Sequence, residues 1–512
     1  MEAKRQIERF CLCLCALLPL MLFRDASVSN ELRYLSIIDE ALRDGHFFAF
    51  YNHGIAYADN PPLFFWLMML GKQIFGCHSM LYLSLLALIP SFVTVVVLDR
   101  WCAKALSKEY RLAAEAALLS TFYYLASAVV VRMDMMMTMF ITLALYTFYR
   151  RYNGDDSLKL KIAFPIYIFL SIFSKGAVGI LVPLVCVPVF LLVKRQIRTI
   201  ARYWGWFTCG ILIILCGLWF FAAYVEGGSA YLNNLLFHQT VDRAVNAFYH
   251  KAPIYYYALR YWYIMFPWCF LTAGVIIYSI FRKDMMNDLA CFMASTSLTI
   301  ILMMSCVSSK LDIYILPALG FTIYATFLLL PSFGHRRFVR VTLLIPLIIF
   351  ALLLPALIIL KLFASDIPYL DRVDIWIPVP LSLAAIYGIK SLYKDKLHHV
   401  AMSIATGLFA TIFLFGLQVK DFNELLGYKD FCTTVREEAV ANDINRYVLE
   451  VDDQGKAILN RGENVDVFLG SIDHVSTTTI ENSLDSLIGD TKGIIVLTQQ
   501  DKKPNFAVYK HK

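Results

Sequence analysis

The chain has 512 residues, of which 59% are hydrophobic and only 17% are charged. Soluble globular domains carry about 25% charged residues, so this composition excludes an ordinary soluble protein. The net charge of +7 is not a nucleic-acid signature, because the basic residues are divided among short loops between apolar segments. We predict a polytopic all-α membrane protein with a small C-terminal α/β domain.

Apolar segments follow one another along most of the chain. A membrane-crossing helix needs roughly 17–25 apolar residues, and about thirteen segments meet this requirement with their flanks. They lie approximately at 8–23, 78–98, 112–131, 134–149, 162–174, 176–193, 204–223, 258–281, 289–307, 312–331, 338–361, 372–389 and 398–417. Basic residues concentrate in alternate loops, so the positive-inside rule predicts a cytoplasmic N-terminus and an outer loop at 24–77. An odd number of spans places the C-terminal region outside too.

The loop 24–77 is the most polar part of the predicted membrane domain, which we assign to residues 1–419. It contains the segments Asn30-Glu31-Leu32-Arg33-Tyr34 and Asp59-Asn60-Pro61-Pro62. Polar and ionisable groups that an apolar scaffold holds at a membrane face are expensive and are usually functional. We therefore expect the loop to carry the site.

Further polar side chains are predicted at the same membrane face, at the ends of other spans. They are Arg132, Asp134, Lys175, Arg243, Lys251, Lys310, Asp312 and Tyr314. Arg binds an anionic phosphate bidentately and Lys binds it as a point charge, while a carboxylate acts as a general base or holds a sugar. Together these residue types suit a lipid-phosphate sugar donor.

A purely structural interpretation competes with this one. Lys and Arg beside a membrane often only extend to the lipid headgroups. Asp134 is different, because it opens an otherwise apolar, Met-rich span where an unpaired carboxylate is costly. Its structural alternative is an ion pair with Arg132.

Residues 420–512 regain an ordinary charge density. Strands are predicted at Arg446–Glu450, Val465–Leu469 and Gly493–Leu497, with a helix near Ile480–Ile488. We expect a small α/β domain with a mixed sheet on the outer face. It has no Gly-rich phosphate loop, which favours a structural or substrate-gating role.

The ordered motifs resemble those of bacterial type C glycosyltransferases related to lipid A aminoarabinose transferases and protein O-mannosyltransferases (glycosyltransferase family 39-like). The resemblance covers most of residues 1–330. Besides the two segments of the outer loop, it rests on Arg132-Met133-Asp134, Ser174-Lys175-Gly176 and Ser309-Lys310-Leu311-Asp312-Ile313-Tyr314.

The resemblance implies transfer of a sugar from a polyprenyl-phosphate carrier to an acceptor at the outer face of the bacterial inner membrane, with a lipid A-like glycolipid as first choice. It implies Glu31, Asp134 and Asp59 as catalytic acids. The substrate-binding residues would be Asn30, Arg33, Tyr34, Asn60, Lys175, Arg243, Lys251, Lys310 and Tyr314. The partners would be the donor, a glycolipid or protein acceptor and the bilayer, without nucleic acid. No nucleotide cofactor is needed, and a divalent metal at Asp59 or a neighbouring His is left open.

Two positions depart from the family pattern. Asn30 replaces the usual Asp of the first motif, and Asn60 replaces the usual Lys before the Pro-Pro pair. An amide is neither a base nor a cation, so the acid role is expected at Glu31 and Asp134, and phosphate binding at Arg33, Lys175 or Lys310. The alternatives are a protein O-mannosyltransferase-like enzyme, a lipid or sugar transporter, and a non-catalytic assembly protein.

Overall fold

The computed structural model describes residues 2–236, 251–281, 287–333, 337–364, 366–489 and 491–510, and most of them are helical. In the first half of the chain the helices are Glu2–Phe23, Glu31–Asp44, Pro62–Phe75, Met80–Cys102, Lys108–Leu119, Phe122–Val129, Asp134–Tyr152, Leu158–Lys175, Val178–Val193 and Trp206–Asn233. They continue with Tyr256–Ile264, Cys269–Phe281, Asp288–Cys306, Leu316–Leu329, Arg337–Ala351, Leu353–Phe363, Val379–Tyr393 and Leu397–Gln418.

Seven of the described helices are long and apolar enough to cross a membrane. They are Lys4–Phe23, Met80–Cys102, Trp206–Leu236, Asp288–Cys306, Asp312–Phe333, Arg337–Phe363 and Leu397–Leu426. An eighth arises if Lys108–Leu119 and Phe122–Val129, which meet at 64°, form one broken span. Four shorter apolar helices of 10–17 residues accompany them. The chain is thus a predominantly helical, multi-pass protein, and the count of about thirteen spans stays a prediction.

The span Asp312–Phe333 is the central helix of the bundle. Its apolar window is 94% buried, whereas that of Lys4–Phe23 is 22% buried. Gly320 allows close packing there, because a Cβ at this position would lie only 2.6 Å from Leu98 Cδ1. Small residues at helix contacts let backbones approach closely in membrane proteins.

The outer loop 24–77 is a folded unit. It consists of the helix Glu31–Asp44, a short hairpin of β1 (Tyr51–Asn52) and β2 (Ile55–Ala56), and the helix Pro62–Phe75. Pro62 begins its helix, where its missing N–H costs nothing. A buried cluster joins this loop to the start of the helix Asp134–Tyr152, and it includes Tyr34, Phe50, Phe64, Phe65, Val131 and Met133.

The C-terminal part contains the helix Lys429–Ala441 and a four-stranded mixed sheet in the order β4-β3-β5-β6. The strands are β3 (Tyr447–Val451), β4 (Ile472–Ser476), β5 (Gly493–Gln500) and β6 (Lys503–Lys510). Strand β3 is parallel to β4 and β5, and β5 is antiparallel to β6. The mixed sheet confirms the sequence prediction, and β3 and β5 lie where two of the three strands were expected.

The predicted strand Val465–Leu469 is wrong. The segment is a 3-10 turn, Gly462–Val465, followed by the short helix Asp466–Leu469. Val465 and Leu469 are both buried, and a spacing of four residues places two side chains on one face of a helical turn. The predicted helix near Ile480–Ile488 is two short helices, Thr477–Asn482 and Leu484–Ile488.

The C-terminal part packs directly on the outer loop. Leu32 is buried in one apolar cluster with Cys432, Val435 and Leu449. The hydroxyl of Ser36 donates a hydrogen bond to Oδ2 of Asp466 at 3.0 Å. The helix Glu31–Asp44 is therefore held between the membrane bundle and the C-terminal sheet, while the domain division at residue 419 stays a prediction.

Candidate active site

Glu31 is a fully bonded internal carboxylate. It is 1% exposed, and Arg24 binds it bidentately with N···O distances of 2.7 and 2.8 Å. Its oxygens also accept the backbone N–H groups of Ser27 at 2.8 Å and Val131 at 2.6 Å. This network ties the outer loop to the segment that precedes Asp134.

Asp134 lies at the start of its helix between two cations. It is 1% exposed, and its Oδ2 accepts hydrogen bonds from Nε of Arg132 at 3.1 Å and Nζ of Lys175 at 3.3 Å. Its Oδ1 is buried, has no hydrogen-bond partner in the described part of the chain, and lies 3.3 Å from the same Nζ. Asp134 thus combines a compensated charge with an unused acceptor atom.

The second motif of the outer loop lies beside the end of the helix Leu158–Lys175. Gly176 follows this helix with φ +89°, and a Cβ built there would lie 4.0 Å from Cγ of Pro61. Asn60 is 6% exposed and donates from Nδ2 to the hydroxyl of Tyr57 at 2.8 Å. Asp59, immediately before it, is half-buried. The fold therefore brings the Asp59-Asn60-Pro61-Pro62 motif next to Lys175.

Tyr34 lies at the centre of these groups. Its ring is buried and its hydroxyl contacts Sδ of Met133 at 4.0 Å, and Nζ of Lys175 contacts the same sulfur at 3.6 Å. Burial raises the pKa of the Tyr34 phenol, and the charges within electrostatic reach of it are those of Arg132, Asp134, Arg33 and Asp59. Predicted residues from three separate motifs thus surround one side chain.

Arg33 faces the rim of the same region. Its Nη2 donates to Oδ1 of Asn30 at 2.8 Å, and its guanidinium lies 5.6 Å from the ring centroid of Tyr57. Nε of Arg33 is buried and has no hydrogen-bond partner among the described residues. Asn30 also begins the helix Glu31–Asp44 as its N-cap residue.

A second polar group surrounds Asp312 on the segment before the central helix. Asp312 accepts hydrogen bonds from the hydroxyls of Tyr256, at 2.8 Å, and Tyr263, and Nε of Arg260 lies 4.0 Å from its Oδ1. Tyr123 connects the two groups, because its ring lies 6.4 Å from that of Tyr263 and it is within electrostatic reach of Asp312 and Asp134.

The remaining predicted residues are placed differently. Lys310 is 5% exposed and donates from Nζ to the carbonyl groups of Ala252, at 2.9 Å, and Val307, at 2.5 Å. Lys251 is exposed and its backbone pairs with Ser309. Tyr314 is half-buried two residues beyond Asp312, and Arg243 lies outside the described residues.

In the described ranges, no group of three or more His, Cys, Asp or Glu side chains has the geometry to hold a metal ion. His46 of the outer loop contacts Glu226 at 3.3 Å, and the backbone N–H of His53, in the hairpin turn, donates to Oε2 of Glu40 at 2.7 Å. The described residues therefore offer no ready set of ligands for a metal at Asp59.

Comparison with known proteins supports the resemblance. Residues 59–220 match the family described as dolichyl-phosphate-mannose-protein mannosyltransferase. An uncharacterized protein of Aquifex aeolicus (strain VF5) is 26% identical over 294 residues, which are 56% of each chain. The undecaprenyl phosphate-alpha-4-amino-4-deoxy-L-arabinose arabinosyl transferase of Pseudomonas savastanoi pv. phaseolicola (strain 1448A / Race 6) is 24% identical over 48% of this chain and 46% of its own. The chain spans about half the length of the curated relatives it matches.

Solved structures agree over nearly the full chain. ArnT from Cupriavidus metallidurans in the apo state matches with a TM-score of 0.75 and 16% identity, over 98% of this chain and 94% of ArnT. ArnT bound to undecaprenyl phosphate matches with the same TM-score, over 97% of this chain and 93% of that ArnT chain. At 16% sequence identity, this similarity shows that the two proteins share a fold.

The fold is that of the ArnT structures, and residues 59–220 are similar to the mannosyltransferase family. The chain is also similar in sequence to arabinosyl transferases and similar in fold to ArnT. The resemblance inferred from the motifs is confirmed.

Sequence reasoning missed several polar residues of this region. Arg24 directly follows the first apolar helix, so the sequence indicates only that a membrane span ends there. In the structure, Arg24 is the ion-pair partner of Glu31. Arg260 and Tyr263 lie within an aromatic stretch, and their partner Asp312 belongs to a motif that suggests no role for it by itself. A signal for Arg24 was available, because it is one of few cations at the predicted outer face.

Proposed function

We propose that this protein is a glycosyltransferase that moves a sugar from a polyprenyl-phosphate donor to a lipid A-like glycolipid at the outer face of the bacterial inner membrane. The observation that carries the proposal is Asp134, a buried carboxylate between Arg132 and Lys175 whose Oδ1 accepts no hydrogen bond within the described part of the chain. The similarity to undecaprenyl phosphate-aminoarabinose arabinosyl transferases and to ArnT bound to undecaprenyl phosphate supports the donor class.

The donor phosphate would bind on the exposed sides of the cations around Asp134. The side chain of Arg132 is 22% exposed and that of Lys175 is 12% exposed, so a second anion can approach both positive charges. A guanidinium has five N–H donors and an ammonium has three. Arg33, on the rim, would add a third positive charge.

In the reaction, an acceptor oxygen attacks the anomeric carbon of the sugar and the bond to the carrier phosphate breaks. The electron pair of that bond stays on the polyprenyl phosphate, whose charge increases as it leaves. Fixed cations aimed at developing negative charge lower such a barrier. A hydroxyl acceptor would give its proton to a carboxylate, whereas an anionic phosphate acceptor carries no proton to remove.

Asp134 and Asp59 are better placed than Glu31 for the proton-accepting role. Four N–H groups from Arg24, Ser27 and Val131 already saturate Glu31. Oδ1 of Asp134 accepts no hydrogen bond from any described residue, and Asp59 is only half-buried. We assign Glu31 a positioning role, in which its carboxylate holds the outer loop over the start of the helix Asp134–Tyr152.

The test is a transfer assay with the purified full chain, radiolabelled polyprenyl-phosphate sugars and a cell-envelope lipid extract. Wild type should move label into a glycolipid, Asp134→Asn should not, and Asp155→Asn should match wild type. Asp155 is a suitable control because it is a half-exposed carboxylate beyond the other end of the same helix. Absence of transfer from every donor, together with absence of donor binding, would contradict the proposal.

A protein O-mannosyltransferase-like activity is the second candidate, because residues 59–220 match the mannosyltransferase family. Adding envelope proteins to the same assay separates the two, since label would then appear in the protein fraction. A transporter would move labelled donor across a vesicle membrane with its sugar–phosphate bond intact.

A further inference from the structure

A basic cavity lies at the end of the bundle opposite to the candidate active site. It has a volume of about 260 Å³, and the polar residues that line it are Arg5, Gln6, Arg9, Asp99, Lys108 and Arg111. The helix Glu2–Phe23 connects the two regions, since Arg5 is near its start and Arg24 follows its end. Its 22 residues span about 33 Å, so the cavity and the active site belong to different membrane faces.

Two ion pairs build the wall of the basic cavity. Arg111 binds the carboxylate of Asp99 with two nitrogens, with Nε at 2.8 Å, and Arg9 binds Glu115. The Asp99 and Glu115 side chains are 5% and 6% exposed, so the guanidinium groups are held by buried partners. Arg9 binds Glu115 through one nitrogen, and a guanidinium carries five N–H donors in all.

The lining carries an excess of positive charge. Among the described residues of the lining and its wall, four cations meet two carboxylates, Asp99 and Glu115, and the side chains of Arg5 and Lys108 are exposed. Lys108 is also the first residue of the helix Lys108–Leu119, whose positive dipole end favours an anion. Behind the wall, buried Gln6 accepts a hydrogen bond from Arg100 at 3.1 Å.

We propose that this cavity binds a phosphate group, and that an anionic phospholipid headgroup from the membrane leaflet at that end supplies it. The surface beside the cavity favours a lipid over a free ion. Ile7 is 64% exposed and Leu12 is 71% exposed on the helix that carries Arg5 and Arg9, so apolar surface for acyl chains begins at the cavity. Free inorganic phosphate would present the same anionic group to the cavity.

The experiment uses the delipidated full chain in detergent micelles and measures the shift in melting temperature with three probes. These are phosphatidylglycerol, phosphatidylcholine and inorganic phosphate. The variant Arg5→Gln/Lys108→Gln removes two exposed lining charges, and Lys104→Gln/Lys159→Gln removes two exposed charges at the same end of the bundle but outside the lining.

We expect phosphatidylglycerol to stabilise wild type and the control variant. It should bind Arg5→Gln/Lys108→Gln about tenfold or more weakly, because each basic residue near an anionic surface contributes about 1 kcal/mol. A response to inorganic phosphate that competes with the lipid would identify the free anion as a ligand of the same site. Equal stabilisation by phosphatidylcholine, or unchanged phosphatidylglycerol binding by the lining variant, would overturn the proposal.

Discussion

Nζ of Lys175 lies 3.3 Å from each carboxylate oxygen of Asp134, although the two residues are 41 positions apart. Lys175 ends one helix and Asp134 begins another, so the pair exists only because these antiparallel neighbours meet at one end. A buried carboxylate requires such compensation, since an isolated buried charge is very costly. The pair therefore serves both stability and the proposed chemistry.

Replacement of Lys175 by Met should reduce kcat/KM in the transfer assay by about 10²-fold or more, because it removes one fixed cation from the site of developing phosphate charge. Among the described residues, Asp134 would then keep only Arg132 as a charged partner. A double-mutant cycle with Asp134→Asn measures the coupling. Strictly additive effects of the two substitutions would show that the pair does not act as a unit.

The pair of Arg24 and Glu31 should behave differently, because it is structural in this interpretation. Glu31→Gln leaves Arg24 buried without its anion, and breaking a buried ion pair costs ~3–5 kcal/mol. We expect a clearly lower melting temperature together with loss of transfer. Asp134→Asn, by contrast, should abolish transfer while donor binding is kept. A Glu31→Gln protein that is inactive but as stable as wild type would favour a direct chemical role for Glu31.

Gly179 controls how closely the helices Leu158–Lys175 and Val178–Val193 approach each other. A Cβ at this position would lie 2.4 Å from the backbone carbon of Ser171, so Gly179→Ala forces the backbone apart beside Lys175. We expect lower stability and lower activity.

Gly210→Ala is the matched control for Gly179→Ala. It is also a helical glycine, and a Cβ there would meet nothing within 4 Å. Alanine should raise stability slightly, since it is favoured over glycine in a helix by up to about 1 kcal/mol. Thermal unfolding of both variants checks the contrast, and equal shifts would argue against the packing explanation.

Asp466 should make the contact between the C-terminal sheet and the outer loop sensitive to pH. Burial raises the pKa of its carboxyl, and the positive charge of His53 and the hydrogen bond from Ser36 oppose this effect. A folded-state pKa above the unfolded value of about 3.9 means that the native protein binds the proton more tightly. Stability from this group is therefore present at low pH and falls as the pH rises through the folded-state pKa.

The measurement for Asp466 is the melting temperature from pH 4 to 7 for wild type and Asp466→Asn. The amide keeps an oxygen that can accept the hydrogen bond from Ser36 and does not titrate, so the difference between the two proteins isolates the carboxyl. Relative to the variant, wild type should lose stability as the pH rises. A constant difference across this range would contradict the raised pKa.

Composition and local motifs determined the class of this protein. Hydrophobic runs predict membrane helices because a bilayer demands about twenty apolar residues per crossing, and few soluble folds imitate that pattern. The segments at Asn30, Asp59, Asp134 and Lys175 could be assigned to one membrane face by counting spans. Strands β3 and β5 were also predictable, because each is a short, largely apolar run rich in β-branched residues.

Only the tertiary structure decided how the polar groups are paired. Nothing local distinguishes Glu31, whose oxygens are saturated by Arg24 and two backbone amides, from Asp134, whose Oδ1 accepts no hydrogen bond from the residues that the structure describes. Likewise, the short helix Asp466–Leu469 replaces an expected strand because its buried face meets the outer loop. Hydrogen bonds and ion pairs between distant segments depend on how helices pack, and the sequence pattern of one segment does not contain the position of its partner.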